Sequence, residues 1–312
     1  MHTLTSLAVG TLAAGAAGLG YASLVERNAF TLRRRTAPVL PPGAPPVRVL
    51  HVSDLHLVPR QRRKIDWVRR LAALEPDVVV NTGDNLADRG AVPAAVEAFE
   101  PLLDLPGVFV LGSNDYFGPV LKNPARYLTR GHRRRPTTGT EPLPTDDLVK
   151  AFLDAGWQDL DNRRDRLAVR GLDLELVGVD DPHLGYDRYD RVAGAADPDA
   201  DLTVGVVHAP YQRVLDAMTA DGAGLLIAGH THGGQLCLPL YGALVTNCDL
   251  PTDRAKGVSR WWPGADEAPS SEAPPDAAWL EVSAGLGTSP YAPVRFACRP
   301  EATLLTLTPR HG

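Results

Sequence analysis

Short acidic and histidine motifs recur along this chain in a fixed order, each where a hydrophobic run ends: Asp54-Leu55-His56, Gly83-Asp84-Asn85, Gly112-Ser113-Asn114-Asp115, His208 and Gly229-His230-Thr231-His232-Gly233. Carboxylate oxygen, amide oxygen and imidazole nitrogen suit hard or borderline divalent cations, and none of these motifs holds a thiolate. That donor set argues against a structural zinc site and for a catalytic centre of Mn, Fe or Zn. Delivered from several strand ends, such ligands could hold two ions and support metal-assisted hydrolysis. In Asp54-x-His56 and His230-x-His232 the paired residues share one side of an extended backbone, so one strand end can present both to one cluster. Gly83, Gly112, Gly229, Gly233 and Gly234 permit the tight turns and close backbone approach that such a centre needs.

Each motif alone is weak. A lone Asp-x-His or Gly-Asp is more often a turn or helix cap, and a lone His208 would be a hydrogen-bonded core histidine. The agreement of order, spacing and strand ends sets the group apart. His51 lies inside an apolar run and is expected to pack as a neutral ring. Asp180, Asp181 and His183 come after another run; they could line a site or be exposed turn residues.

The elements that must position these residues are legible as alternating units. Val47 to Val52 reads as a buried strand, Arg62 to Leu74 as a helix stopped by Pro76, Asp77 to Thr82 as a strand, Val92 to Leu103 as a helix and Gly107 to Leu111 as a strand. Strand, helix, strand, helix, strand predicts an α/β sheet with right-handed crossovers, whose ligands bind beyond the carboxyl ends of the strands. Further on, a helix is expected at Asp147 to Ala155. Strands are expected at Leu167 to Val169 and Leu172 to Val179, joined at Arg170-Gly171, and at Leu202 to Val207, Leu225 to Ala228, Ala278 to Val282 and Thr303 to Leu307. Pro119 to Pro144 reads as an irregular basic cover near the site, and Ala265 to Pro275 as a surface loop.

The bounds agree with an enzyme. The chain has 312 residues, 44% hydrophobic and 22% charged, which suffices for a sizeable core. A net charge of -5 gives no overall reason to expect nucleic acid, and Arg133 to Arg135 read as a solvated basic spot. Cys237, Cys248 and Cys298 lack CxxC spacing and suggest no disulfide framework. Leu4 to Val25 is apolar and uncharged, about long enough for a membrane helix; a cleaved signal or a loose tail are the alternatives. Arg33 to Arg35 would keep the rest of the chain on the cytoplasmic side, unless targeting machinery overrides that bias, so the side of the membrane stays open. The division is therefore 1–26 membrane anchor or signal, 27–46 Pro-rich linker and 47–312 catalytic domain.

The array Asp54-x-His56, Gly83-Asp84, Gly112-Ser113-Asn114-Asp115, His208 and Gly229-His230-Thr231-His232 resembles the calcineurin-like metallophosphoesterases. Gly229-His230-Thr231-His232-Gly233-Gly234-Gln235, and Gly285-Leu286-Gly287-Thr288-Ser289 before Arg295-Phe296, resemble a bacterial branch with an amino-terminal membrane segment or export signal. The resemblance implies a two-sheet β-sandwich flanked by helices, of α/β (α+β) class, with a dinuclear centre of Mn, Fe or Zn. Asp54, His56 and His232 would hold one ion; His208, His230 and an asparagine would hold the other, with Asp84 bridging. A bridging hydroxide would then attack phosphorus in line with the leaving oxygen. Asp84, Asn85 and Asn114 are the expected catalytic residues. The family usually has Gly-Asn-His-Asp or Gly-Asn-His-Glu where this chain has Gly-Ser-Asn-Asp. Either Ser113 serves as an oxygen ligand, or the loop shifts so that Asn114 does, the better donor. No histidine remains there to protonate a leaving alkoxide, which favours diesters or good leaving groups. The implied function is a phosphodiesterase or pyrophosphohydrolase acting on a small-molecule or lipid-linked phosphoester, the latter motivated by the family's UDP-diacylglucosamine hydrolases. The alternative is a metal-binding but inactive interaction module on the same fold.

Overall fold

Successive strand residues point to opposite faces, so a strand covered on both sides must be apolar at every position. The computed structural model describes residues 15–120 and 141–310 and shows how this chain meets that demand. One six-stranded sheet contains β1 (Thr31–Leu40), β2 (Val47–Val52), β3 (Val78–Asn81), β4 (Gly107–Phe109) and β5 (Gln158–Asp159). A second contains β6 (Arg163–Val169), β7 (Leu172–Val179), β8 (Leu202–Val207) and β9 (Leu225–Ala228). After the small hairpin β10 (Cys237–Leu238) and β11 (Gly242–Ala243), β12 (Gly257–Trp261) and β13 (Ala278–Val282) complete the second sheet, and β14 (Glu301–Pro309) returns to the first. The orders are β1-β14-β2-β3-β4-β5 and β12-β13-β9-β8-β7-β6. Within them β2 to β5 and β7, β8, β9 and β13 run parallel, and β14 is antiparallel to β2.

The sheets pack face to face. Val49, Val78, Val80 and Val108 of the first meet Leu174, Val204, Leu225 and Ile227 of the second in one buried cluster. The alternate residues of the first sheet, Leu50, Val52, Val79 and Phe109, pack under the helices Arg62–Arg69, Val92–Phe99 and Thr145–Asp154 through Ile65, Phe99 and Phe152. Those of the second, Val207, Leu226 and Val282, pack under the helix Gln212–Ala220 through Val214 and Met218. The architecture is thus the expected mixed α/β sandwich flanked by helices.

One expectation changes. The stretch 27–46 is not a plain linker: β1 pairs in parallel with β14 from Thr31↔Glu301 onward, and Ala37, Val39 and Leu40 are buried. Its proline is tolerated because β1 is an edge strand, and the register shifts between Pro38 and Leu40. Of the expected span Leu4 to Val25, residues 15–20 are helical and continue into a π-turn at Tyr21–Val25. No helix among the described residues is long and apolar enough to cross a membrane, and residues 1–14 lie outside them. The basic cover expected at Pro119 to Pro144 likewise falls outside the described residues at 121–140.

Candidate metal centre

Strand ends of both sheets converge on one point. β2 delivers Asp54 and His56, β3 delivers Asp84, and the turn after β4 carries Gly112 and Asn114; across the sandwich β8 delivers His208 and β9 delivers His230 and His232. Asp54, His56, Asp84, His230 and His232 all hold left-handed backbone, with φ of 51°, 44°, 55°, 68° and 49°. Such residues cost on the order of 1 kcal/mol each and persist where the surroundings over-determine them. Here the surroundings are loop-to-loop hydrogen bonds: Asp54 N–H to Gly83 O and His56 N–H to Asp84 O, both 2.9 Å. Asp115 gathers three loop N–H groups, from Asp84 and Asn85 at 2.8 Å and from Gly112 at 3.0 Å. Glycine is required where the loops touch. A Cβ on Gly112 would lie 2.4 Å from Asp84 Oδ1, and one on Gly229 would lie 2.0 Å from Ser53 Oγ.

All the expected ligand residues are brought together, in two groups that share Asp84. Asp54, His56, Asp84 and His232 offer ligand atoms within 4.8 Å of one another. His56 Nε2 faces His232 Nε2 at 3.2 Å and Asp84 Oδ2 at 3.4 Å. In the second group His208 Nε2 lies 3.2 Å from His230 Nδ1 and 3.5 Å from Asp84 Oδ1. Asn114 meets Asp84 twice, through its main-chain N–H to Oδ1 at 2.7 Å and its amide nitrogen to Oδ2 at 2.8 Å. Ser113 Oγ accepts from the same amide at 3.3 Å. The residues fit divalent ions: facing imidazole nitrogens can aim their lone pairs at a common cation, and buried Asp54 Oδ1 has no hydrogen-bond donor.

Protonation depends on burial and neighbours. Burial holds His56 down at about 4 and His230 and His232 well below the usual histidine range, so three imidazoles are neutral. Burial opposes ionisation of Asp84 as well, yet the charge of His208 and the Asn114 N–H keep it below the usual carboxylate range. Burial also raises Asp54 to about 6. His208 is the exception: burial pulls it down, but the carboxylates of Asp84, Asp181 and Asp54 lift it to about 9. Its Nδ1 donates to Thr82 O at 2.6 Å, which directs Nε2 into the centre.

Other residues behave differently from their sequence reading. Asn85 does not face the histidines; its amide oxygen accepts from Asn81 at 2.9 Å and its amide nitrogen reaches Asp115 at 3.4 Å, so it braces the loop. His51 does more than pack between apolar neighbours. Its Nδ1 pairs with buried Glu281 and its Nε2 meets Thr82 Oγ1 at 2.8 Å; Thr82 donates to Ser53 at 2.7 Å, and Ser53 donates to Asp54 Oδ2 at 2.5 Å. This chain of hydrogen bonds ends on an expected ligand. Its sequence signal was a carboxylate, Glu281, inside the apolar run of β13. Arg295, completely buried, donates to His232 Nδ1 at 3.3 Å and to the carbonyls of Ala284 and Gly287 at 2.7 and 2.8 Å, fixing the loop beneath the centre. His183 and Asp181 are buried beside the second group rather than exposed, with the His183 ring 4.6 Å from that of His230.

Comparison with known proteins gives this arrangement its family. The chain is 26% identical over 308 residues to the uncharacterized metallophosphoesterase YkuE of Bacillus subtilis, covering 97% of this chain and 93% of that one. It is 28% identical over 233 residues to phosphodiesterase YaeI of Escherichia coli, covering 73% and 76%. A bovine transmembrane protein with metallophosphoesterase domain is 26% identical over 214 residues, covering 63% of this chain and 43% of that protein. The calcineurin-like phosphoesterase family model matches residues 47–234, more than half of the chain and every residue of the metal cluster. The chain belongs to the calcineurin-like phosphoesterase family and is a phosphoester hydrolase.

Proposed function

We propose that the protein hydrolyses phosphodiester or pyrophosphate bonds with a dinuclear centre, Asp54, His56 and His232 holding one ion and His208, His230 and Asn114 the other. One observation carries this reading. The Asp84 carboxylate presents Oδ2 to His56 and Oδ1 to His208, so a single side chain joins the two histidine groups as a bridging ligand would. Bound divalent ions would supply Lewis acidity toward the phosphoryl oxygens and lower the pKa of water enough to provide a nucleophile near neutral pH. The neutral state of His56, His230 and His232 suits this role, because they can ligate without first losing a proton. Asn114 can ligate through its amide oxygen after rotation about its last bond, since amide orientation is set by the partner present.

Asn114 and Ser113 leave no imidazole in this loop, and an amide cannot protonate a departing alkoxide. Esters with stable leaving groups are therefore the better substrates, in keeping with the relative named a phosphodiesterase. The apolar amino-terminal segment, and the bovine relative named a transmembrane protein, support attachment to a membrane. An inactive, metal-binding interaction module is the second reading, favoured by the departure of Gly-Ser-Asn-Asp from the family pattern.

The test is turnover of bis-p-nitrophenyl phosphate and p-nitrophenyl phosphate by the full chain, with manganese and with chelator, beside Asp84→Asn. We expect manganese-dependent diester turnover that falls by about three orders of magnitude in the variant, about 4 kcal/mol of transition-state stabilisation. Tightly bound metal with no turnover of either ester would instead favour the inactive module.

A further inference from the structure

Large apolar side chains left in water need a reason when they cluster. Among the described residues twelve are exposed, and all but Leu153 fall in just three short segments: residues 19–25, 236–244 and 291–296. These segments form one surface. The Tyr21 ring meets Phe296 edge-on at 6.5 Å, Leu236 bridges to Phe296, and Arg295 N–H donates to Ala22 O at 3.1 Å. Its most prominent part is the β10–β11 hairpin, whose tip carries Leu240 and Tyr241 in full view of solvent, with Leu240 in left-handed backbone at φ 69°. An isolated two-stranded hairpin is marginal in water, and an apolar tip gains nothing there.

We infer that this surface is a bilayer-docking face, in which the β10–β11 hairpin and the amino-terminal segment together enter the lipid interface. Two observations choose lipid over other occupants. The apolar sequence from Leu4 runs without a charged residue into the patch at residues 19–25, so the face is continuous with a stretch of about bilayer length. Beside that segment lies a cavity of about 440 Å³, lined by Tyr21 and Phe296 and by Arg33, Lys256 and Arg299; Arg33 pairs with Glu301 at 2.9 Å, and the one acid of the lining, Glu26, is buried and accepts the Cys298 N–H at 2.7 Å. An apolar surface beside a cationic, aromatic-edged recess matches acyl chains and an anionic headgroup. A second copy docking by a twofold axis would bring the same cations against themselves. The hairpin comes directly after His232-Gly233-Gly234, so docking would set the metal centre next to the lipid surface.

The experiment places a tryptophan at the tip. Leu240→Trp in the full chain is mixed with phosphatidylcholine vesicles containing phosphatidylglycerol and brominated acyl chains, with Leu153→Trp as the control outside the patch and native fluorescence subtracted. Quenching at position 240 at least about threefold that at 153, and stronger with phosphatidylglycerol than without, is the expected result for a tip lying in the interface. Equal quenching at both positions in protein that still floats with the vesicles overturns the inference while leaving an amino-terminal anchor standing. A blue shift at position 240 without lipid, together with a dimeric mass, also overturns it in favour of self-association. Neither readout needs metal or turnover, so failure here and failure of the hydrolytic reading are told apart.

Discussion

Asp54 shows how much of a ligand's behaviour is set by residues that never touch an ion. Its Oδ2 accepts from Ser53 and from the His230 N–H at 3.0 Å, which leaves Oδ1 as the atom turned toward His232 at 3.6 Å. Ser53 is held in turn by Thr82, His51 and Glu281. Partners of this kind orient ligands and typically contribute 10- to 100-fold to metal affinity. Glu281→Gln is therefore expected to weaken manganese binding by about tenfold or more while leaving the near-ultraviolet circular dichroism intact, as a competition titration against a chromophoric chelator would report. Unchanged affinity would reduce the relay to packing. At the other side of the centre, the double change Ser113→Asn and Asn114→His would keep an amide ligand in the loop and add an imidazole beside a leaving oxygen. It should raise turnover of an alkyl monoester such as glycerol phosphate relative to p-nitrophenyl phosphate by about 10²-fold, the usual worth of a general acid; an unaltered ratio of the two would sink the leaving-group argument. Asp54, His56, Asp84 and the three later histidines were all legible in the sequence because each stands at the end of an apolar run. The partners of Glu281 and Arg295 were not, because they lie 230 and 63 residues away along the chain and no local pattern encodes such a pairing.

At the scale of elements, β8, β9 and β13 fall where the sequence places them because strands covered on both faces must be continuous apolar runs with sharp ends. The hairpin between β6 and β7 was legible for a different reason: Arg170 and Gly171 both take positive φ, 51° and 79°, as a tight two-residue turn demands. β1 was not legible. Its arginines and its proline read as a solvated linker, and its pairing partner is the last strand of the chain, a relation no local pattern encodes. The hairpin β10–β11 was missed as well, its apolar residues being exposed instead of buried. A consequence concerns where the chain can be cut. A chain beginning at residue 47 loses the buried side chains of Ala37, Val39 and Leu40 and uncovers β14. At about 1.5–3 kcal/mol for each large side chain, the loss is a sizeable part of a typical stability of about 5–15 kcal/mol. A chain beginning at residue 26 should give a cooperative urea transition, whereas one beginning at residue 47 should give a broad transition or aggregate. Equal transitions for the two would show β1 to be dispensable.

For the molecule as a whole, the centre is also a joint. Asp54, His56, Asp84 and Asn114 hang from strand ends of the first sheet, and His208, His230 and His232 from strand ends of the second. The apolar core between the sheets supplies most of their adhesion but stops short of the polar rim where Asp54 Oδ1 is buried without a donor. Ions held by residues of both sheets would tie the rim together, and anything that binds only the folded state stabilises it. At a free manganese concentration about a hundred times the dissociation constant the gain is about 2.7 kcal/mol. With a shift of about 2 °C per kcal/mol for a chain of this size, Tm should rise by about 5 °C over the chelated protein. Asp84→Asn removes the side chain that serves both histidine groups, so it should abolish most of that rise even if one ion still binds. Scanning calorimetry of the two proteins, each with manganese and with chelator, separates the cases. A rise in the variant equal to that of the parent would mean that the ions sit on one sheet alone and that Asp84 does not join the two halves.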